Sequence, residues 1–380
     1  MKRLAVIPAD PLYKYVAKGE LKPRYWNPGE FFDEIHVVSL CADEVAPEQV
    51  QALAGRAKLY IHPVGRPTPM TLAWYYRKVS RLIGNLAPSV IRAHGPWHSG
   101  SLGVHAGRRL GVPCLVSIHN EMDATRSFDR RLLLRLVRPL EYYTLRHASA
   151  VLCVSNYLHE YASRYGAQRM ITVYNKVYPD QFAGQAGSEA APLQVLAVMR
   201  LDPQKDPECL IRAVAPLKLR LKLVGKGELE GRLKRLVREL GVEDRVELIP
   251  MVPNSQIHTH YLGADIFAMA THYEGFCIPV LEAMAAGLPV VASQTPPIPE
   301  ILGGAGLLVE HRPEAFTRAF AELAADPERR SRLGAAARER AASLDGRRME
   351  DREAELYQVL IAKDRAALEL LCADARRYVA

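Results

Sequence analysis

Along this chain, short β-branched or Leu-rich runs alternate with longer stretches whose apolar residues recur every three or four positions. In the first half the continuous runs fall at residues 4–7, 35–40, 58–61, 90–93, 114–118 and 151–154. After residue 190 the alternation resumes, with runs at 193–198, 219–224, 246–248, 266–268, 290–292 and 306–309. Runs without polar alternation suit parallel strands covered on both faces by helices. The pattern therefore predicts an α/β architecture twice over: two doubly wound domains facing a cleft, with ligands expected at the carboxyl ends of the strands. Residues 181–192 are rich in Gly, Ala, Ser and Gln and carry no periodic apolar pattern, which marks a hinge. The boundaries that follow are a first domain over 1–177, a linker over 178–192, a second domain over 193–345 and C-terminal helices over 346–380. Those helices show apolar residues at helical spacing among many charges, and are expected to pack outside the sheets, back across the domains.

Composition narrows the picture. A length of 380 residues exceeds what one hydrophobic core serves, in keeping with two domains. With 49% hydrophobic and 24% charged residues the chain is an ordinary globular protein, not a disordered or collagenous one. Apolar runs such as 288–292 fall far short of the ~18 residues of a spanning helix. The start offers only residues 4–7 as an apolar stretch, too little for a secretory signal, so a cytoplasmic protein is expected. Six cysteines without any Cys-x-x-Cys spacing predict neither disulfides nor structural zinc. Charge is uneven: residues 1–177 hold 24 Lys and Arg against 13 Asp and Glu, a net +11, and the remainder holds 26 against 29, a net −3. A basic half suits an anionic partner, although charge alone describes a solvated surface equally well.

The most informative stretch is residues 272–293, HYEGFCIPVLEAMAAGLPVVAS. Glu274 follows the run at 266–268, Gly275 permits a tight turn, and Pro279 suits the first turn of a helix that stops at Gly287. Unpaired backbone N–H groups at such a helix start, around Phe276, Cys277 and Ile278, present partial positive charge to an anion such as a diphosphate. Glu282 falls about a turn inside the same helix. A carboxylate repels phosphate but accepts hydrogen bonds from vicinal hydroxyls, so Glu274 and Glu282 beside an anion site predict a sugar phosphate. Upstream, Arg200 and Lys205 flank the turn after the run at 193–198. A planar guanidinium fork and a compact ammonium suit a diphosphate whose charge grows as it leaves. Taken alone those two cations read as a solvated loop; beside Glu274 and Glu282 they complete a constellation.

These segments resemble the retaining nucleotide-sugar glycosyltransferases of family 4, with two Rossmann-like domains in the GT-B arrangement. Residues 274–292 match that family's E-G-F-x-x-P-x-x-E-A-M-A-x-G-x-P-V-V-A pattern throughout. LAVMRLDPQKD is similar to its G-R-L-x-x-x-K-G segment, VLCVSNYL to its V-S segment, ITVYNKVYPDQF to its N-G-V-D-x-x-x-F segment and LVGKGELEGRLKRL to its G-x-G-x segment, so the likeness runs from about residue 90 to 357. The resemblance implies an enzyme that moves a sugar, with retention, from a UDP- or GDP-sugar to a glycan or lipid-linked acceptor in cell-surface polysaccharide or glycolipid synthesis. It implies that Arg200 and Lys205 bind the donor diphosphate, Glu282 the ribose hydroxyls and Glu274 the hydroxyls of the transferred sugar. Backbone from Gly275 through Phe276 and Cys277 to Ile278 would hold sugar and phosphate, and Gly225 stands in the G-x-G-x segment. His119, in LVSIHNEMD, matches a histidine that points at the reaction centre, whereas its chemistry alone describes a structural imidazole.

Departures from the pattern matter. Where family members carry a Gly-Gly loop after the first strand, this chain runs from Ile7 into PADPLYKYVAKGE. Met199 stands for the usual Gly before Arg200, Lys176 for the Gly after Asn175 and Asp206 for the Gly after Lys205, each with less backbone freedom. No Asp-x-Asp pair occurs, so leaving-group charge falls to Arg200, Lys205 and the helix start, and neither cofactor nor metal is expected. Residues 127–147, with Arg130, Arg131, Arg135, Arg138 and Arg146 among leucines, and residues 74–83, with Trp74, Tyr75 and Tyr76 beside Arg77, Lys78 and Arg81, predict peripheral contact with an anionic membrane at the inner face. The same leucines suit a core-facing stripe, and Pro139 interrupts the first stretch. Nucleic acid is not an expected partner. A nucleotide-sugar epimerase and a non-catalytic sugar-nucleotide binder remain as alternatives, the second without need of Glu274, Glu282, Arg200 and Lys205 together. A sugar phosphorylase would need a pyridoxal lysine motif, a dehydrogenase a G-x-G-x-x-G after the first strand, and a glycosidase two carboxylates flanking a bond. None of these is found.

Overall fold

The computed structural model describes residues 1–19, 21–129, 137–184, 187, 192–250 and 252–374, and divides the chain into two compact units. One comprises Met1–Tyr174 with Arg347–Ala380, the other Asn175–Gly346.

Seven strands build the sheet of the first unit: β1 Arg3–Ile7, β2 Glu34–Ser39, β3 Lys58–Pro63, β4 Val90–His94, β5 Cys114–Ile118, β6 Ala150–Cys153 and β7 Met170–Thr172. All pairings are parallel, in the order β3-β2-β1-β4-β5-β6-β7. Burial follows that order. Every residue of β4 and β5 is buried, Arg92, His94 and Ser117 included, as central strands covered on both faces require, whereas edge strand β3 leaves Lys58 and Tyr60 exposed. Strand β7 escapes the apolar pattern because two apolar residues before a threonine carry no periodic signal; pairing of Met170 with Val151 recruits it to the edge.

The second unit holds a six-stranded parallel sheet of β8 Gln194–Val198, β9 Arg220–Val224, β10 Val246–Ile249, β11 Ile266–Met269, β12 Val290–Ser293 and β13 Leu307–Val309, in the order β10-β9-β8-β11-β12-β13. In each sheet the order reverses beside the first strand, between β1 and β4 and between β8 and β11. Loops leaving the carboxyl ends of such a pair diverge and open a crevice, where doubly wound sheets bind ligands.

The helix Gly346–Ala362 returns the chain to the first unit. Met349, Leu356, Tyr357 and Leu360 are buried along it, as are two glutamates, Glu350 and Glu353. Glu353 pairs with Arg92 on β4, with side-chain exposures of only 2% and 3%. Arg92 also donates to the Tyr357 hydroxyl at 3.2 Å and to Ser117 Oγ at 3.2 Å. Glu350 accepts from the Gly29 backbone N–H at 3.2 Å and faces Arg24 at 3.3 Å. The 3₁₀ turn Pro179–Phe182, inside the stretch read as linker, belongs to the second unit: Phe182 is buried and meets the Tyr261 ring edge-on at 5.5 Å.

Of the two stretches read as membrane-facing, Arg130, Arg131 and Arg135 lie outside the described residues. Pro139 sits in the first turn of the helix Arg138–His147. The helix Leu72–Leu86 turns Tyr75, Val79 and Ile83 inward and leaves Trp74, Arg77 and Arg81 exposed. Among the described residues no helix is long and apolar enough to cross a membrane.

Candidate active site

In the second unit the loops after β8 and β11 are tied together by hydrogen bonds. The Gln204 carbonyl accepts from the His272 N–H at 2.9 Å and from Thr271 Oγ1 at 3.2 Å, while its amide Nε2 donates to the Tyr273 carbonyl at 2.7 Å. Gln204 Oε1 in turn accepts from Arg200 at 2.8 Å, and Asp202 faces the same guanidinium at 3.1 Å. Arg200 nevertheless keeps 65% of its side chain exposed, so its fork remains open to a solvent-borne anion. Lys205 pairs with Glu274, both largely buried. Three residues flagged by their chemistry, Arg200, Lys205 and Glu274, thus fall into one neighbourhood, held by Gln204, which no motif singled out.

Gly225 lies under this neighbourhood. Its φ is +150°, and a Cβ there would stand 1.8 Å from the Met199 carbonyl oxygen; one on Gly227 would stand 2.2 Å from that of Leu201. The loop after β9 therefore crosses directly against backbone 199–201, bonded through Leu201 N–H to the Lys226 carbonyl at 3.0 Å. Only glycine allows that approach, the physical reason for the G-x-G spacing.

The helix Ile278–Ala285 starts at Cys277, in the left-handed region at φ +86°, with Pro279 in its first turn and no side chain capping its start. Burial first, then the charge of Glu274, raises the Cys277 thiol pKa, so the sulfur is no nucleophile. Glu282, half-buried on this helix, accepts from the Tyr261 hydroxyl at 2.8 Å. Tyr261 is fully buried, and burial together with Glu282 holds its pKa well above the usual phenol range; it remains a donor that fixes one carboxylate oxygen. Its only sequence signal is an aromatic residue in a helix shortly before β11.

His119 stands in the first unit, directly after β5. Its ring stacks on His94 at 5.7 Å between centroids, and His94 stacks on Tyr25 at 5.8 Å. Burial first, then the charge of Arg92, lowers the His119 pKa to about 4, so the imidazole is neutral near pH 7. Its Nε2 has no hydrogen-bond partner among the described residues, an unsatisfied polar atom that a ligand hydroxyl would complete.

Comparison with known proteins places the chain beside glycosyl transferases in sequence and fold. Residues 180–340 match the family described as glycosyl transferases group 1, and residues 30–176 the glycosyl transferase 4-like domain. The D-inositol 3-phosphate glycosyltransferase of Kineococcus radiotolerans is 34% identical over 198 residues, 46% of this chain and 45% of that protein. The GDP-mannose-dependent alpha-(1-6)-phosphatidylinositol monomannoside mannosyltransferase of Mycolicibacterium smegmatis is 34% identical over 187 residues, 45% of this chain and 48% of that protein. The chain thus spans about half the length of the curated relatives it matches. Anabaena Alr3699/HepE in complex with UDP superimposes with a TM-score of 0.76 at 17% identity, over 94% of this chain and 100% of that one. Sucrose-phosphate synthase from Thermosynechococcus elongatus does so with 0.75 at 18%, over 96% and 100%. At such identities these structures establish the fold.

Proposed function

The chain belongs to the group 1 glycosyl transferases, and we propose that it moves a sugar, with retention and without a metal, from a nucleoside-diphosphate sugar to a glycan or lipid-linked acceptor. The observation that carries this reading is the pairing of Lys205 with Glu274 beside exposed Arg200, with Glu282 oriented by Tyr261 on the neighbouring helix. Cations and hydroxyl-accepting carboxylates in one crevice match a ligand that is part diphosphate and part sugar. Relatives and structural neighbours whose names include GDP-mannose and UDP support the same donor class.

In this reading Arg200 and Lys205 take the diphosphate, Glu282 the ribose hydroxyls and Glu274 the hydroxyls of the departing sugar, with Gly225 and backbone from Gly275 through Phe276 and Cys277 to Ile278 closing the cradle. Because Lys205 and Glu274 neutralise each other, donor binding exchanges partners instead of leaving a charge uncompensated. The bond between the anomeric carbon and the diphosphate oxygen breaks, the acceptor hydroxyl oxygen takes its place, and the acceptor proton leaves on the diphosphate. Growing negative charge on that leaving group is what Arg200, Lys205 and the start of the helix Ile278–Ala285 stabilise. In the first unit, His119 is neutral and its Nε2 is free of any partner among the described residues, a hydrogen-bond partner for a ligand hydroxyl.

An anionic membrane at the inner face of the cell is the proposed setting, supported by the +11 of residues 1–177 and by exposed Trp74, Arg77 and Arg81 on one helix. The test is acceptor-dependent turnover of UDP- and GDP-sugars in EDTA, with the anomeric configuration of the product read by NMR. Retained configuration and undiminished initial rate in chelator are expected. Inversion, or loss of turnover restored only by Mg or Mn, would overturn the retaining or metal-free assignment. Interconversion of the donor sugar without any acceptor would favour the epimerase.

A further inference from the structure

Asp206 occupies the position where the family pattern has glycine, and it does so in the left-handed region, at φ +37°. Few non-glycine residues adopt that conformation, and aspartate is among those that do when its carboxylate finds local partners. Here one oxygen, Oδ1, accepts from the Cys209 backbone N–H at 3.3 Å and caps the helix Pro207–Val214. The other, Oδ2, accepts from His311 Nε2 at 2.9 Å and lies 4.0 Å from His272 Nε2. The two imidazole rings are 4.3 Å apart between centroids, so both present Nε2 to the same oxygen. Cys209 completes the group: donor atoms of Asp206, Cys209 and His311 all lie within 4.8 Å of one another.

We propose that Asp206, Cys209 and His311, with His272 as fourth donor, form a structural zinc site at the start of the helix Pro207–Val214. The chemistry fits in three respects. A mixed set of thiolate, imidazole and carboxylate suits a borderline-soft ion and not Mg or Ca, which prefer oxygen alone. Thiolate and carboxylate together balance the charge of a divalent ion with both imidazoles neutral, so the half-buried site carries no net charge. Geometry requires the donors of Asp206, Cys209 and His311 to contract from within 4.8 Å of one another to the separation of about 3.4 Å that donors near 2.1 Å from a tetrahedral ion adopt, and the His272 side chain, whose Nε2 lies 4.0 Å from Asp206 Oδ2 but outside that group, to turn onto the ion. Binding displaces the His311 proton from Nε2 to Nδ1 and releases the Cys209 thiol proton to solvent.

Metal uptake replaces the Cys209 thiol proton and therefore weakens as pH falls. The absence of Cys-x-x-Cys spacing is no obstacle, because the donors come from the start of the helix Pro207–Val214 and from the loops after β11 and β13. A site closed by four protein donors has no open position for a donor phosphate, so this inference does not depend on the proposed transfer reaction.

The experiment is a cobalt titration of the full chain, reduced and stripped by chelator, followed by absorption. One equivalent of Co should produce a thiolate-to-metal charge-transfer band that one equivalent of Zn abolishes and excess Mg leaves unchanged. Cys209→Ser should remove the band, and His311→Ala should weaken Co affinity by at least about tenfold. His272→Ala provides a second reading if Cys209→Ser does not fold, since its ring is more exposed: it should shift the cobalt d–d bands away from the tetrahedral pattern. No band at one equivalent overturns the proposal. So does a band of equal strength in Cys209→Ser, which would assign the metal to another of the six cysteines.

Discussion

Each unit holds an ion pair that is nearly out of water, and the two are built for different ends. Arg92 and Glu353 are 3% and 2% exposed and sit in a network, with Tyr357 and Ser117 as further partners of the guanidinium. They join β4 to a helix that follows about 250 residues later in the chain. Lys205 and Glu274 are 13% and 7% exposed, lie on two loops at the carboxyl ends of adjacent strands, and Lys205 Nζ has no other hydrogen bond among the described residues. A buried pair tied into further hydrogen bonds locks two elements together, whereas a pair satisfied only by each other is ready to exchange partners. The first unit therefore uses its pair for architecture, and the second keeps its pair for a ligand.

The largest expected effect comes from breaking the architectural pair. Glu353→Ala leaves Arg92 buried without its carboxylate and should destabilise the chain by about 3–5 kcal/mol, read by urea denaturation. Nucleoside diphosphate affinity of the folded variant should stay at the parent value. A loss below about 1 kcal/mol would place Arg92 among ordinary surface pairs and erase the contrast.

A smaller effect is expected of Tyr261→Phe, which removes the hydroxyl that orients Glu282. A hydrogen bond to a charged group contributes about 1.5 kcal/mol, so diphosphate affinity should fall roughly tenfold. Calorimetry measures this directly, and unchanged affinity would remove Tyr261 from the site.

The smallest effect separates the units by pH. His94 and His119 have pKa values below the ordinary imidazole value, held down by burial first and then by Arg92, with His119 at about 4. Between about pH 6.5 and 4 the unfolded chain binds protons that the native first unit refuses. Stability is therefore fully present above 6.5 and falls as pH drops through that window. Thermal unfolding of a His94→Gln/His119→Gln variant should show a shallower pH slope than the parent there; identical slopes would contradict neutral burial.

The legible part of this molecule was that in which one local pattern carries the information. Apolar runs marked every strand except β7, and the stretch at 272–293 contains its turn, helix start and both carboxylates within one element. Gln204, Tyr261 and the Arg92–Glu353 pair were not legible, because each works through a partner at a sequence distance that no periodicity encodes. Glu350 and Glu353 did leave a trace, as charges at positions where the helical spacing calls for apolar residues. Composition marked residues 178–192 as linker, yet Phe182 within it packs on Tyr261, since a short docked turn can be written in linker-like residues.

The central claim is that the two carboxylates divide the donor between them, Glu282 holding the nucleotide and Glu274 the sugar. The most direct measurement compares calorimetric binding of the free nucleoside diphosphate with turnover of its sugar conjugate, in the parent, Glu282→Ala and Glu274→Ala. The expected result is that Glu282→Ala weakens diphosphate binding, whereas Glu274→Ala leaves that binding within about threefold of the parent and lowers turnover by about 10²-fold or more. Equal losses of diphosphate affinity in both variants would contradict the division.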